Sequence, residues 1–163
     1  MTAPNTLSWS AELVLGDPRT DSTHQEFIDL LNATTAAAPE AKLALYQQLV
    51  QHTIEHFAQE ERWMTACGIP ADFCHFGQHS SVLEVMKEVE RRALAGELAY
   101  IGSMVEALVE WFPQHAASMD AGLVSYLQEK GYDTASETFK AGASAASAAA
   151  VPSCGHEPGH SCA

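Results

Sequence analysis

His56 and Glu60 lie four residues apart in a run with helical apolar spacing, from about Leu43 to Met64. On a helix, residues four apart lie one turn apart on the same face. An imidazole and a carboxylate that both point into an apolar core need a charge partner there, and a cation bound by both side chains provides one. The alternative is a hydrogen-bonded pair on the helix surface, so the pair alone does not identify a metal site.

More histidines and one aspartate recur at positions that the same spacing predicts to face inward. Each of four predicted helices carries at least one such histidine, near its start in the first and third helices and near its end in the second. In an antiparallel bundle these alternating positions meet at one end of the fold. The inward residues are His24, His56, Glu60, His75, His79, His115 and Asp120.

These imidazoles and carboxylates are too many ligands for one four-coordinate zinc ion. Shared by two ions, with both carboxylates bridging, they bring each ion to about five or six ligands. Mixed nitrogen and oxygen donors of this kind suit iron, with manganese and zinc as alternatives. Any single histidine could instead be a core or surface residue, but all of them in register on four helices favour a centre of two metal ions.

The spacing of apolar residues predicts four helices after an irregular arm over residues 1–18. Gly68, Gly96 and Gly131 mark the ends of the last three. Pro113 predicts a local kink or a lost backbone bond inside the fourth. The expected fold is an all-α, up-down-up-down four-helix bundle. Its helices run from the N-cap Asp21 to about Ala37, from Pro39 to about Cys67, from about Ala71 to Ala95, and from about Leu98 to Lys130.

Residues 1–132 are expected to form the bundle domain, and residues 133–163 a flexible tail that is rich first in Ala and Ser, then in Cys and His. The segment 156–160 fits the H-E-x-x-H pattern of zinc proteases, but Pro158 and Gly159 deny it the helix that this motif requires. Two thiolates and two imidazoles of the tail could hold zinc or another soft-to-borderline metal. The alternative is a disordered tail with incidental ligands. The four residues are Cys154, His156, His160 and Cys162.

The formal net charge of −13 argues against a nucleic-acid partner and against anionic membrane surfaces, since both are bound through clustered Lys and Arg. No apolar segment approaches the ~20 residues of a membrane-spanning helix. The N-terminus lacks the pattern of a signal peptide, so the expected compartment is the cytoplasm. There Cys67 and Cys74 are expected to be buried reduced thiols, with a bridge or redox pair as the alternative.

The sequence resembles the hemerythrins, most closely the bacterial single-domain hemerythrins, over about Trp9 to Leu127. Ligand-type residues at the spacing of this family carry the resemblance. They are Asp21-Ser-Thr-His24, His56-Phe-Ala-Gln-Glu60-Glu61 with Met64, Pro70 followed by His75-x-x-x-His79, and Trp111-x-x-x-His115-x-x-x-x-Asp120. The resemblance implies two iron ions bridged by both carboxylates and an oxo or hydroxo group. It assigns His24 and His56 to one ion, and His75, His79 and His115 to the other.

By the same resemblance, the first iron keeps an open position where O2 binds reversibly, so the implied role is O2 storage, delivery or sensing rather than catalysis. Phe57 and Trp111 match residues that line the ligand pocket. Ala116 stands where the family usually has a larger aliphatic residue, which implies additional space beside the metals. His52, where relatives often carry Tyr, is interpreted as a neighbour of the ligands. The alternatives are an oxidoreductase that reduces peroxide or nitric oxide at this site, and a metal-handling protein with the tail as a loading arm.

Overall fold

A computed structural model of the chain describes residues 5–146 and 150–152, and within them the predicted all-α bundle is confirmed. Each long helix packs against the next in chain order, and the fourth packs back against the first. No helix of the described residues is long and apolar enough to cross a membrane. After a 3₁₀ turn at Ala11–Leu13, the long helices are α1 (Pro18–Ala36), α2 (Pro39–Ala66), α3 (Cys74–Leu94) and a fourth that combines α4 (Ala99–His115), a π-helical segment (Ala116–Asp120) and α5 (Ala121–Lys130).

The first helix begins earlier than the sequence predicts, because its N-cap is Asp17 and not Asp21. The Asp17 carboxylate accepts hydrogen bonds from the backbone N–H of Thr20 at 2.9 Å and from its hydroxyl at 2.8 Å. Pro18 occupies the first helical position, where a missing N–H costs nothing. Asp21 instead accepts from the backbone N–H groups of Leu15 and Gly16, and so holds the arm against the helix.

The third helix begins at Cys74, three residues later than expected, because the chain first completes a turn. Gly68 takes a left-handed conformation with φ of +81° after α2, as a C-terminal glycine cap requires. The backbone N–H of Phe73 then bonds to the carbonyl oxygen of Pro70 before helical bonding starts. The buried thiol of Cys67 at this turn is free, so Cys67 is not bridged to Cys74. Cys74 is disulfide-bonded, so the expectation of a reduced thiol is wrong for this residue.

The fourth helix continues through Pro113 and widens three residues later into the π-helical segment, where the N–H of Ala121 bonds to the carbonyl oxygen of Ala116.

Within the described residues, the apolar core of the bundle consists of two clusters. Along α2, Leu49 and Val50 belong to a first core cluster, whereas Trp63 and Met64 belong to a second. The polar residues between the two clusters are those expected to bind metal.

A short β-hairpin follows the bundle, where the sequence predicts the start of a flexible tail. Its strands are Tyr132–Asp133 and Thr138–Phe139, paired antiparallel. The Tyr132 and Phe139 rings meet edge to face at 5.2 Å between centroids and extend the second core cluster. The hydroxyl of Thr134 donates to the Asp17 carboxylate at 2.7 Å, so ordered structure extends beyond Tyr132 and contacts the start of α1.

Candidate metal centre

All seven residues expected to bind metal converge in the interior of the bundle, and each is at most 3 % exposed. Every long helix contributes, as the sequence predicts. α1 supplies His24; α2 supplies His56 and Glu60; α3 supplies His75 and His79; the fourth helix supplies His115 and Asp120.

The ligand atoms form two groups, within each of which all atoms lie inside 4.8 Å of one another. One group contains two histidines, His24 and His56. The other contains three, namely His75, His79 and His115. Glu60 and Asp120 belong to both groups, which is the arrangement required of carboxylates that bridge two ions. We refer to these below as the two-histidine group and the three-histidine group.

The two oxygens of Glu60 face different groups. Oε1 lies 2.9 Å from Nε2 of His56 and 3.8 Å from Nε2 of His24. Oε2 lies 3.4 Å from Nε2 of both His75 and His79. One carboxylate therefore presents one oxygen to each group of histidines.

The two carboxylate oxygens of Asp120 also face different groups of histidines. Its Oδ2 lies 3.2 Å from Nε2 of His24, in the two-histidine group. Its Oδ1 lies 3.1 Å from Nε2 of both His75 and His115, in the three-histidine group. Two carboxylates in this relationship can hold two cations side by side.

Most of these polar atoms are buried without a hydrogen bond. Nine buried side-chain nitrogen and oxygen atoms in the described part of the chain have no hydrogen-bond partner, and all nine belong to this cluster. A buried polar atom left unsatisfied costs about 1–3 kcal/mol. Metal ions would satisfy the imidazole nitrogens and carboxylate oxygens together, so the donor set fits a pair of borderline metal ions such as iron.

The carboxylates also determine the protonation of the metal-free cluster. Burial alone would lower the pKa of His24 and of His75, but the facing carboxylates of Asp120 and Glu60 outweigh it and raise both to about 9. Burial opposes ionisation of Glu60, yet the charge of His56 and the nearby imidazoles hold its pKa well below the usual range. Protons therefore supply positive charge that metal ions would replace.

Outer contacts fix two of the three histidines in the three-histidine group. Nδ1 of His79 lies 3.2 Å from a carboxylate oxygen of Glu61, and Nδ1 of His115 donates to the amide oxygen of Gln78 at 2.8 Å. Such partners orient the ring so that Nε2 points to the metal. Neither Glu61 nor Gln78 was predicted in this role, because helical spacing does not reveal contacts between helices.

The predicted pocket residues Phe57 and Trp111 contact the three-histidine group. Phe57 stacks on His79, with 3.8 Å between ring centroids and 3° between planes, and Trp111 stacks on His115 at 4.3 Å. Their role as a ligand pocket remains a prediction. The two-histidine group is bordered by other rings, since Phe112 meets His24 edge to face at 5.0 Å and Phe27 lies 6.4 Å from His56. Ala116 is fully buried and packs in the first core cluster.

His52 lies beside the centre and belongs to neither group of ligand atoms. Its Nε2 is 3.2 Å from the carbonyl oxygen of Thr23, and its ring centroid is 6.1 Å from that of His56. Burial and the neighbouring His56 lower its pKa. These contacts agree with its interpretation as a neighbour of the ligands. The tail residues Cys154, His156, His160 and Cys162 lie outside the described residues.

Comparison with known proteins places this arrangement in a family. Residues 18–127 match the hemerythrin HHE cation binding domain, a range that includes all seven residues of the centre. The chain is 38 % identical to a bacteriohemerythrin of Ralstonia nicotianae over 131 residues, which cover 80 % of this chain and 96 % of the relative. It is 30 % identical to a bacteriohemerythrin of Pseudomonas paraeruginosa over 123 residues, covering 72 % and 79 %. Both alignments are long enough to cover most of the bundle.

Proposed function

This chain belongs to the hemerythrin family, and we propose that it binds O2 reversibly at a centre of two iron ions. The observation that carries the proposal is the division of each carboxylate between the two groups. Glu60 and Asp120 each offer one oxygen to the two-histidine group and the other to the three-histidine group. His24 and His56 would hold one iron, and His75, His79 and His115 the other.

The unequal ligand count supports O2 binding at one ion. With both carboxylates shared, the two-histidine group offers four protein ligands and the three-histidine group five. Two ferrous ions held by these residues would supply the electrons that reversible O2 binding requires. We expect the open coordination position on the ion held by the two-histidine group, because the protein provides one imidazole fewer to that ion.

Aromatic side chains border the two-histidine group on the side of the apolar core. Phe27 and Phe112 are almost fully buried and pack 4.7 Å apart between ring centroids, next to His24 and His56. An apolar boundary of this kind excludes water and protons, which favours release of O2 unchanged over its reduction.

Anaerobic reduction of the iron-loaded protein, followed by O2 addition and then O2 removal, tests the proposal optically. We expect an absorption change on addition that reverses on removal through several cycles. Zinc-loaded protein is the matched control, because zinc has the same charge and no redox chemistry. Irreversible conversion to the diferric spectrum in the first cycle would contradict reversible binding.

A second candidate is an oxidoreductase that reduces peroxide or nitric oxide at the same ions. A polar surface cleft of about 400 Å³ favours it, because this cleft is lined by His56 together with Arg19, His52 and Gln59. Polar side chains so close to a ligand can deliver the protons that such reductions consume. Steady consumption of peroxide or nitric oxide, in the presence of a reductant, at a rate above that of zinc-loaded protein would favour this candidate.

Ala116 provides a further comparison of the two candidates. If the small side chain leaves space beside the metals, Ala116→Ile should slow autoxidation about fivefold, which corresponds to ~1 kcal/mol on the barrier. Because Ala116 is fully buried, the thermal stability of the variant has to be measured alongside. A folded variant with unchanged or faster autoxidation would show that Ala116 does not limit access to the centre.

A further inference from the structure

The two groups of ligands differ in how firmly the protein supports them. In the three-histidine group, His79 is held by Glu61 and His115 by Gln78. In the two-histidine group, Nδ1 of His24 and Nδ1 of His56 are buried and have no hydrogen-bond partner among the described residues. Loss of an outer partner of a metal-bound histidine typically reduces metal affinity 10- to 100-fold. Neither histidine of the two-histidine group has such an outer partner in the described part of the chain.

Ring packing adds to this difference. Phe57 stacks flat on His79 and Trp111 stacks on His115, so rotation of either imidazole would require an aromatic ring to move. The rings around His24 and His56 are tilted or edge-on to them, which restricts their rotation less. The three-histidine group is therefore the more rigid of the two, and it also offers one more ligand.

The surface cleft reaches the two-histidine group alone. Of the seven residues in the centre, only His56 lines the cleft, which has a volume of about 400 Å³. The carboxylates of Glu26 and Glu55 also line it, together with the guanidinium groups of Arg19 and Arg62, so the cleft is polar but its formal charges balance. A neighbouring depression beside Glu61 and Phe76 is lined by none of the seven. Of the two groups of ligands, the two-histidine group is therefore the one beside a polar cleft from which a hydrated metal ion could approach.

A pair of hydrogen bonds crosses this cleft between α1 and α2. The amide oxygen of Gln59 accepts from Nε of Arg19 at 2.8 Å, and its amide nitrogen donates to the hydroxyl of Thr23 at 3.4 Å. Gln59 immediately precedes the shared ligand Glu60. We call the contacts of Gln59 with Arg19 and Thr23 the Gln59 latch.

We infer that the two-histidine group is the exchangeable half of the centre. It takes up and releases a divalent first-row metal ion through the cleft beside the Gln59 latch, while the three-histidine group retains its ion. The inference rests on the proposed centre of two ions and adds an order of loading. The three-histidine group fills first and empties last.

Release of iron to a chelator tests this order without any measurement of O2. Full-length protein with two irons per chain is reduced anaerobically and mixed with an excess of a ferrous chelator whose complex is coloured. We expect two phases of equal amplitude, one iron per chain in each, with rates that differ at least ~10-fold.

Variants assign the phases to the groups. Glu61→Ala and Gln78→Ala should accelerate the slow phase about 10- to 100-fold and leave the fast phase unchanged, because they remove the outer partners of His79 and His115. Gln59→Ala should accelerate the fast phase alone. Glu110→Ala is the matched control, since it removes one exposed glutamate from α4, away from the cleft.

The outcomes separate this inference from the proposed function. Two irons released in a single phase from the native protein would overturn the inference and leave the two-iron centre intact. Acceleration of the fast phase by Glu61→Ala would overturn it as well, because the labile ion would then be the one held by the three-histidine group. Protein that never holds more than one iron would overturn the inference and the proposed function together.

Discussion

His115 and Asp120 are five residues apart in the chain, yet Nε2 of the histidine lies 3.1 Å from Oδ1 of the aspartate. In a regular α-helix such residues would lie about 140° apart around the axis. The π-helical segment Ala116–Asp120 adds the extra residue to one turn and returns Asp120 to the face of His115. The bridge between the two groups of ligands therefore depends on the local helix type.

Deletion of Ser118 tests this dependence. Ser118 is an exposed residue of the π-helical segment, and its removal leaves the histidine and aspartate four residues apart, which a regular α-helix places on one face. We expect the variant to fold and to retain both metal ions, as measured by elemental analysis and circular dichroism. Deletion of the exposed Ser103, in the regular part of α4, is the control. It rotates the two halves of the helix about 100° relative to each other and should abolish metal binding.

Asp120→Ala should reduce metal content and stability together. The change removes one of two shared carboxylates and leaves the positive charge of the ions less compensated, and metal binding contributes to the free energy of folding. Elemental analysis should show no more than about one metal ion per chain, with a lower melting temperature than in the native protein. Asp29→Ala, at an exposed position of α1, should change neither quantity. Full metal content in the Asp120 variant would exclude a bridging role.

Metal binding should release protons at neutral pH. The pKa of His24 and of His75 is raised from 6.5 to about 9 in the metal-free fold, so both imidazoles are largely protonated at pH 7 and must lose a proton to bind metal. Calorimetry in buffers of different ionisation enthalpy should give about two or more protons released at pH 7 and fewer above pH 9. An equal number at pH 7 and pH 10 would contradict the assignment.

The raised pKa values of His24 and His75 also make the stability of the metal-free protein depend on pH. A raised pKa means that these histidines stabilise the fold fully below pH 6.5, and that this contribution is lost as pH rises through about 9. The melting temperature of metal-free protein should therefore fall between pH 7 and pH 10. Metal-loaded protein should lack this decline, since its histidines carry no proton to lose.

His52→Ala should leave the metal content unchanged. Its ring belongs to neither group of ligand atoms and contacts the carbonyl oxygen of Thr23, so its removal affects the surroundings of His56 rather than coordination. The autoxidation rate, measured after anaerobic reduction and O2 addition, is the quantity that can change. Loss of one metal ion per chain would make His52 a ligand and overturn the assignment.

Periodicity and spacing predict the four helices and the convergence of the histidines, whereas the family was predicted from a resemblance. These follow from local chain geometry, which repeats the apolar residues of a helix every three to four positions. The same period places Met119 inward, whereas the structure leaves Met119 partly exposed and buries Asp120. A regular α-helical period cannot place both Met119 and Asp120 on the face of His115, and the added residue of the π-helical segment brings Asp120 to that face.

The features that the sequence did not predict depend on contacts between residues distant in the chain. Gln78 is next to His79 in sequence, but its amide oxygen accepts a hydrogen bond from His115 on another helix, which no local sequence pattern predicts. The hairpin after the bundle was missed for the same reason. Its strands are two residues long, and contacts with Trp63 and Arg62 of α2 hold it in place, both made by Glu137.

Ending the chain after Tyr132 should lower stability and leave the metal centre intact. The truncation removes the ring of Phe139 and the side-chain contacts of Glu137 and Thr134, which together contribute about 2–3 kcal/mol. We expect a melting temperature several degrees lower with two metal ions still bound, because none of the seven residues is removed. Glu106→Ala, at an exposed position of α4, is the control for loss of a glutamate side chain. An unchanged melting temperature would mean that the hairpin does not stabilise the bundle.

The contact between Thr134 and Asp17 joins residues 117 positions apart. During synthesis Asp17 leaves the ribosome long before Thr134 exists, so α1 first relies on the local bonds from Asp17 to Thr20. The hydroxyl of Thr134 can reach its partner only after all four helices have been made and have collapsed against one another. We therefore expect this contact to form on the native side of the folding barrier, where it would slow unfolding without accelerating folding.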